Sequence, residues 1–197
     1  MEIYDISQEV FSSCVYPGDP TPEKRTLASM GAGDLYNLTA FSMCAHNGTH
    51  LDAPAHFMAD GKTVDALPLS SVVGLAYVIE HHGEVRATDA LQFLKDAQKS
   101  NAEAARRILI KGDATLTEEG AQVFADAKVL LFGNESQTVG PEAAPMAVHK
   151  ILLGADTVLL EGIRLQNVPA GVYLLVAAPL LLGGAEGAPC RALLVQL

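Results

Sequence analysis

Residues 75–113, LAYVIEHHGEVRATDALQFLKDAQKSNAEAARRILIKGD, carry the pattern that decides the fold class. LAYVIEHH opens with an apolar run broken by no turn residue, as expected of a strand covered on both faces, and RRILIKGD repeats that character. Between them, TDALQFLKDAQKS reads as a helix. Two such strands with a helix between them predict an α/β domain. Working outward, KVLLFGNES (128–136), TVLLEGIRL (157–165), GVYLLVAAPLLL (171–182) and RALLVQL (191–197) read as further buried strands. TEEGAQVFADAK (117–128) adds a second helix, with Thr117 as its cap and acids in the first turn. VYPGDPTPE (15–23) and GNESQTVGPEAAP (133–145) are loops by their prolines and glycines. The second loop leaves a strand, and open α/β sheets place their chemistry at strand ends. That loop and the LLEG strand end are therefore candidate walls of a site.

At 197 residues and 49% apolar content, the chain is expected to form one domain spanning 1–197 around one sizeable core. Its formal charge of −10, from 23 acids against 13 bases, repels phosphate backbones and acidic lipid heads. Nucleic acid and membrane are thereby excluded as expected partners. Cys14, Cys44 and Cys190 are odd in number and far apart, unlike a disulfide framework or a four-thiolate zinc cage. GVYLLVAAPLLLGG is too short to span a bilayer and contains Pro179. With no basic, apolar leader at MEIYDISQEV, the expectation is a soluble, cytoplasmic protein.

Half of the six histidines fall within HNGTHLDAPAHF, residues 46–57. His46 and His50 have the spacing of a helical metal site, but Gly48 and Pro54 argue against a helix. In extended chain the period of two sets His46, Gly48, His50 and Asp52 on one face. Imidazole with carboxylate suits a borderline divalent ion such as Zn²⁺, and a carboxylate can bridge two ions. His56, beyond the bend at Pro54, is placed to act as general base or acid rather than as a ligand. Read by themselves, His149 is a helix-surface histidine and Glu161 a solvated strand-end acid. His81 and His82 read as surface residues, and Cys44 as a small buried one.

The segment resembles the signature His-x-Gly-Thr/Ala-His-x-Asp-x-Pro-x-His of the cyclase-like metal-dependent hydrolases that include bacterial kynurenine formamidase. Residues 46–56 fit every fixed position. The likeness extends to EIYDISQEV with VYPGDP, to HKILLGADTVLLEGIRL and to the C-terminal GVYLLVAAPLLLGGAEGAPCRALL, so nearly the whole chain is covered. FGNESQTVG departs from the family's acid-Thr-x-Ser pattern, and is expected to line the pocket.

The resemblance implies a swivelling β/β/α-type domain with a central mixed sheet, assembled as a homodimer or tetramer. It also implies two Zn²⁺ ions, with Mn²⁺ accepted. His46, His50 and Asp52 would hold the first, Asp52 and Glu161 would bridge, and His149 would complete the second. His56 becomes the catalytic acid-base. Tyr16 takes the place of an aromatic residue, commonly Trp, that contacts an aryl substrate. The implied reaction is hydrolysis of N-formyl-L-kynurenine to L-kynurenine and formate, a step of tryptophan catabolism. The alternatives are a cyclic amide or lactone hydrolase of the isatin-hydrolase kind, and a metal-binding scaffold without turnover.

Overall fold

A computed structural model describes all 197 residues. The first half of the chain forms strands β1 (Glu2–Asp5), β2 (Glu23–Ala28), β3 (Leu38–Ser42) and β4 (His50–Asp52), helix α1 (Leu69–Val72), strands β5 (Val73–Glu80) and β6 (Gly83–Val85), and helix α2 (Ala87–Ser100). The second half adds β7 (Arg107–Lys111), β8 (Ala114–Leu116), α3 (Glu118–Asp126), β9 (Leu131–Asn134), α4 (Met146–Gly154), β10 (Val158–Glu161), β11 (Gly171–Val176), β12 (Gly187–Pro189) and β13 (Leu193–Gln196). Nine strands make one mixed sheet in the order β1-β13-β11-β5-β7-β9-β10-β4-β12. β5, β7, β9 and β10 run parallel, and the strands at either side pair antiparallel.

This is the α/β architecture that the covered strands predict, with the central mixed sheet that the family resemblance implies. Every residue of β9 and β10 is buried, because apolar groups pack on both faces of the sheet. One core gathers Leu109, Leu131 and Leu160 from the parallel strands. It also takes Leu51 and Leu194, from strands near opposite ends of the order, so the sheet curls around it. The other core holds Ile108, Ile110, Phe132 and Leu159 under the helices.

The helices face that second core with their apolar stripes. In α2, Ala90 and Ala97 are buried, while Phe93 and Leu94 pack beside them. Thr117 caps α3 as expected, its hydroxyl accepting from Gly120 N at 3.1 Å. In α4 the buried face is Val148, His149, Leu152 and Leu153. A histidine in that stripe is turned inward, which corrects the surface reading of His149. No helix is long and apolar enough to cross a membrane.

One buried charge stands out in β7. Arg107 is 2% exposed and donates to Ser71 O at 3.2 Å, to Leu75 O at 3.0 Å and to Ser70 O, while Glu103 lies 3.1 Å away. Its guanidinium thereby serves carbonyls where α1 runs into β5. Arg107→Ala would leave those carbonyls without a donor and open a cavity, and is expected to lower the unfolding free energy by about 3 kcal/mol. Arg107→Lys should recover only part of the loss, since an ammonium lacks the planar fork. Urea denaturation of both variants measures this.

Outside the sheet, β2 and β3 form a separate antiparallel hairpin. Leu27, Met30, Leu35, Tyr36, Leu38 and Phe41 on this arm are exposed.

Candidate metal centre

The site is built where β4 inserts between β10 and β12. His50 pairs with Glu161 and Asp52 with Leu159 across the antiparallel ladder. Directly opposed residues share a face, and so do residues two apart. His50, Asp52, Glu161 and Leu159 therefore face the helical side, and Leu159 belongs to the core beneath the helices. α4 delivers His149 to the same face from the stretch just before β10.

His46 arrives by a different route from the expected one. The extended reading of residues 46–52 is wrong before His50: the chain turns there, and only His50–Asp52 is strand. Gly48 adopts φ +64°, a left-handed conformation, and a Cβ on it would lie 2.8 Å from Ser13 Cβ. Gly48 N donates to Cys14 O, and Gln137 Nε2 donates to Gly48 O, which fixes the turn from both sides. The turn folds His46 back, with its Nδ1 2.8 Å from Asp52 Oδ1. Gly187 on β12 leaves room for that ring, since a Cβ there would meet His46 Cε1 at 2.6 Å.

The structure thus brings together His46, His50, Asp52, His149 and Glu161. His50 Nε2 is 3.4 Å from both Asp52 Oδ1 and Glu161 Oε2. His149 Nε2 is 3.1 Å from Glu161 Oε1 and 3.6 Å from Asp52 Oδ2. Three three-residue clusters result: His46-His50-Asp52 and Asp52-His149-Glu161, joined through Asp52, and His46-His56-Glu186 at the rim. Glu161 is 2% exposed, so the strand end is not solvated as it reads in isolation. Val139 N donates to Glu161 Oε1 at 2.8 Å and holds the carboxylate in place.

These donors fit a divalent cation. His50 Nδ1 lies 3.0 Å from Gly48 O and His149 Nδ1 2.8 Å from Pro145 O. A carbonyl only accepts, so each Nδ1 carries a proton and each ring turns its Nε2 toward the carboxylates. Such an arrangement calls for positive charge between nitrogen and carboxylate, either a proton on the ring or a metal ion. His50 Nε2 and Asp52 Oδ2 accordingly lack a hydrogen-bond partner although both are buried.

The electrostatics agree. Burial opposes a charge on His50, but contacts with Asp52 and Glu161 outweigh it and raise its pKa to about 10. Burial also opposes charge on His46 and His149, yet Asp52 and Glu161 respectively raise their pKa values. Burial works against ionised Asp52 too, and His46 and His50 hold it well below the usual carboxylate range. Such a cluster attracts positive charge strongly, and a metal competes there with protons.

His56 stands at the rim, in the short turn Pro54–His56, and stacks on His46 with ring centroids 4.2 Å apart. Burial lowers its pKa, which favours the neutral, proton-accepting ring. Tyr16, Asp19, Cys44, Phe57, Gln137 and Thr138 complete a cavity of about 310 Å³ that also contacts His46, His50, His56, His149 and Glu161. Tyr16 hydroxyl donates to Glu142 O at 3.1 Å, linking the VYPGDP loop to the loop after β9. The departure FGNESQTVG does line the cavity, through Gln137 and Thr138. His81 and His82 lie apart, bonded near Glu84 and Asp113 respectively.

Glu186 escapes the sequence reading. Its Oε1 lies 3.1 Å from His46 Nε2, so His46 is flanked by acids on both ring nitrogens. Glu186 O also accepts from Ala53 N, so the backbone beside it is tied to the residue after β4. The only signal was an acid between small residues in GGAEGAP, two positions after a glycine pair.

Residues 4–161 match the family model described as "Putative cyclase". A kynurenine formamidase of Salinibacter ruber is 32% identical over 210 aligned positions, covering 98% of this chain and 97% of that protein. Among solved structures, one described as a potential metal-dependent hydrolase with cyclase activity superposes with a TM-score of 0.82 at 27% identity, covering 98% of this chain and 96% of its own. Isatin hydrolase A of Labrenzia aggregata, bound to benzyl benzoate, shares the fold with a TM-score of 0.81 at 21% identity, covering 100% of this chain and 94% of its own.

Proposed function

The chain belongs to the cyclase family, and from that premise we propose that it is a metal-dependent arylformamidase hydrolysing N-formyl-L-kynurenine to L-kynurenine and formate. One observation carries the reading. A buried donor set leaves His50 Nε2 and Asp52 Oδ2 unpartnered, and a separate imidazole, His56, stands beside it. In this reading His46, His50 and Asp52 hold one ion, and Asp52, Glu161 and His149 hold a second. Zinc suits imidazole and carboxylate donors, and manganese is accepted by the same set. A divalent ion there supplies Lewis-acid polarisation of the formyl carbonyl and lowers the pKa of water towards neutrality.

His56 then has two proton transfers to make. Its ring accepts a proton as water attacks the formyl carbon, and returns it to the arylamine nitrogen as the C–N bond breaks. Tyr16 and Phe57 offer aromatic faces to the aryl ring, and the hydrogen bond from Tyr16 to Glu142 O fixes one wall.

The test is a substrate panel. Protein loaded with Zn²⁺ or Mn²⁺ is offered N-formylkynurenine, plain formanilides, isatin and small lactones. Turnover of the formamides is expected. Turnover of the cyclic substrates alone would move the assignment to a cyclic amide hydrolase, and tight metal binding with no turnover would leave only a scaffold.

The same reading takes residues 1–197 as one domain, supported by the pairing of β1 with β13. It also takes the protein as a homo-oligomer, because a lone two-stranded hairpin with an apolar surface is marginal in water until something covers it. Three free cysteines suit a cytoplasmic, reducing location.

A further inference from the structure

The charges lining the cavity divide unevenly once the donor set and His56 are set aside. Tyr16, Cys44, Phe57, Gln137, Thr138 and Pro145 are neutral, and Asp19 carries the one remaining charge. No lysine or arginine lines the cavity. Asp19 is half-buried, and no lysine, arginine or histidine nitrogen lies within ion-pair distance of it. Its closest polar side-chain contact is weak, the Cys44 thiol donating to Oδ2 at 3.7 Å. The loop holds the residue in place, since Asp19 N donates to Tyr16 O at 3.0 Å and Tyr16 is itself tied to Glu142.

A carboxylate fixed in a wall without a counter-charge calls for one from the ligand. The molecule as a whole, at −10, adds a field that repels anions. We propose that Asp19 is a specificity-determining residue that seats a cationic ammonium group of the substrate, and that any substrate carboxylate is left to solvent without a basic partner. The proposal rests on the arylformamidase reading and narrows it. The preferred substrate class is an aryl formamide whose side chain bears a primary ammonium, and the α-carboxylate of N-formylkynurenine contributes nothing to recognition. Asp19 lies outside all three donor clusters, so its role is separable from metal retention.

The experiment compares kcat/KM for four formanilides, carrying no charge, an ortho aminoalkyl ketone, the zwitterionic amino-acid side chain, and an ortho carboxylate. In the wild type the ammonium compound should match or exceed the zwitterion, and the carboxylate compound should be the poorest. Asp19→Asn should reduce the ratio of ammonium to neutral kcat/KM about tenfold, through KM, as expected for one ion pair in a partly desolvated wall. Asp19→Glu should restore part of that ratio. An equal fall for all four compounds in Asp19→Asn, or a wild-type preference for the carboxylate compound, would overturn the proposal. Failure of the wild type to hydrolyse any of the four formanilides would instead overturn the formamidase reading. Calorimetric binding of the matching product amines still reads the Asp19 preference in that event: tighter binding of the ammonium amine in wild type than in Asp19→Asn supports it, and equal binding defeats it.

Discussion

Asp52→Asn is expected to lower kcat/KM by at least about 10³-fold and to strip the protein of bound metal. Removing a partner that only orients a metal ligand costs roughly 10–100-fold in affinity or activity. Asp52 is more deeply involved, since it joins the two clusters and neighbours three imidazoles at once. The amide keeps the shape of the side chain but gives up the negative charge that the two clusters share. Its buried N–H₂ group also has no lone pair to offer a cation, where the carboxylate had a second oxygen. The measurement pairs steady-state kinetics with metal content after dialysis, and a circular dichroism spectrum checks that the variant folds. Retention of two ions with activity within tenfold of wild type would remove Asp52 from the centre.

His56→Ala should behave differently. A positioned acid-base group contributes roughly 10²–10⁴-fold, so kcat should fall by that factor while the metal content stays at the wild-type level. The distinction follows from position. His56 contacts His46 through ring stacking and belongs to neither of the clusters that share Asp52. A leaving group more acidic than the kynurenine amine needs less help from a proton donor, so a formanilide with a strongly electron-withdrawing ring should lose less activity in the variant. Equal losses for good and poor leaving groups would remove proton donation from the role of His56. Loss of metal in His56→Ala would make it a ligand instead.

The sheet was legible because its central strands are buried on both faces, which writes them into the sequence as short apolar runs. Strands β4 and β12 were not, since three residues carry no period, and their place comes from pairing with β10 and with each other. Arg107 shows the same limit from the opposite side. A charged residue at the start of RRILIKGD gives no hint that Ser70 and Ser71 of α1 and Leu75 of β5 will turn carbonyls towards it.

The site divides along similar lines. His46, His50, Asp52 and His56 crowd into one short segment, where mixed imidazole and carboxylate chemistry is visible without a fold. Even there the geometry was misread, because the left-handed turn at Gly48 replaces strand parity before His50. His149 and Glu161 come from distant stretches, and only the family resemblance singled them out. A helix period cannot say that the face holding His149 is the buried one, and an acid at a strand end cannot announce its cross-strand partner. Glu186 had neither a period nor a motif role, and its closeness to His46 exists only once β12 has joined the sheet.

The central claim is that His46, His50, Asp52, His149 and Glu161 form one centre for paired divalent ions. Elemental analysis of protein purified without added metal, then equilibrated with Zn²⁺ and dialysed, tests it most directly. The account predicts two ions per chain. One ion per chain, or none, would contradict it.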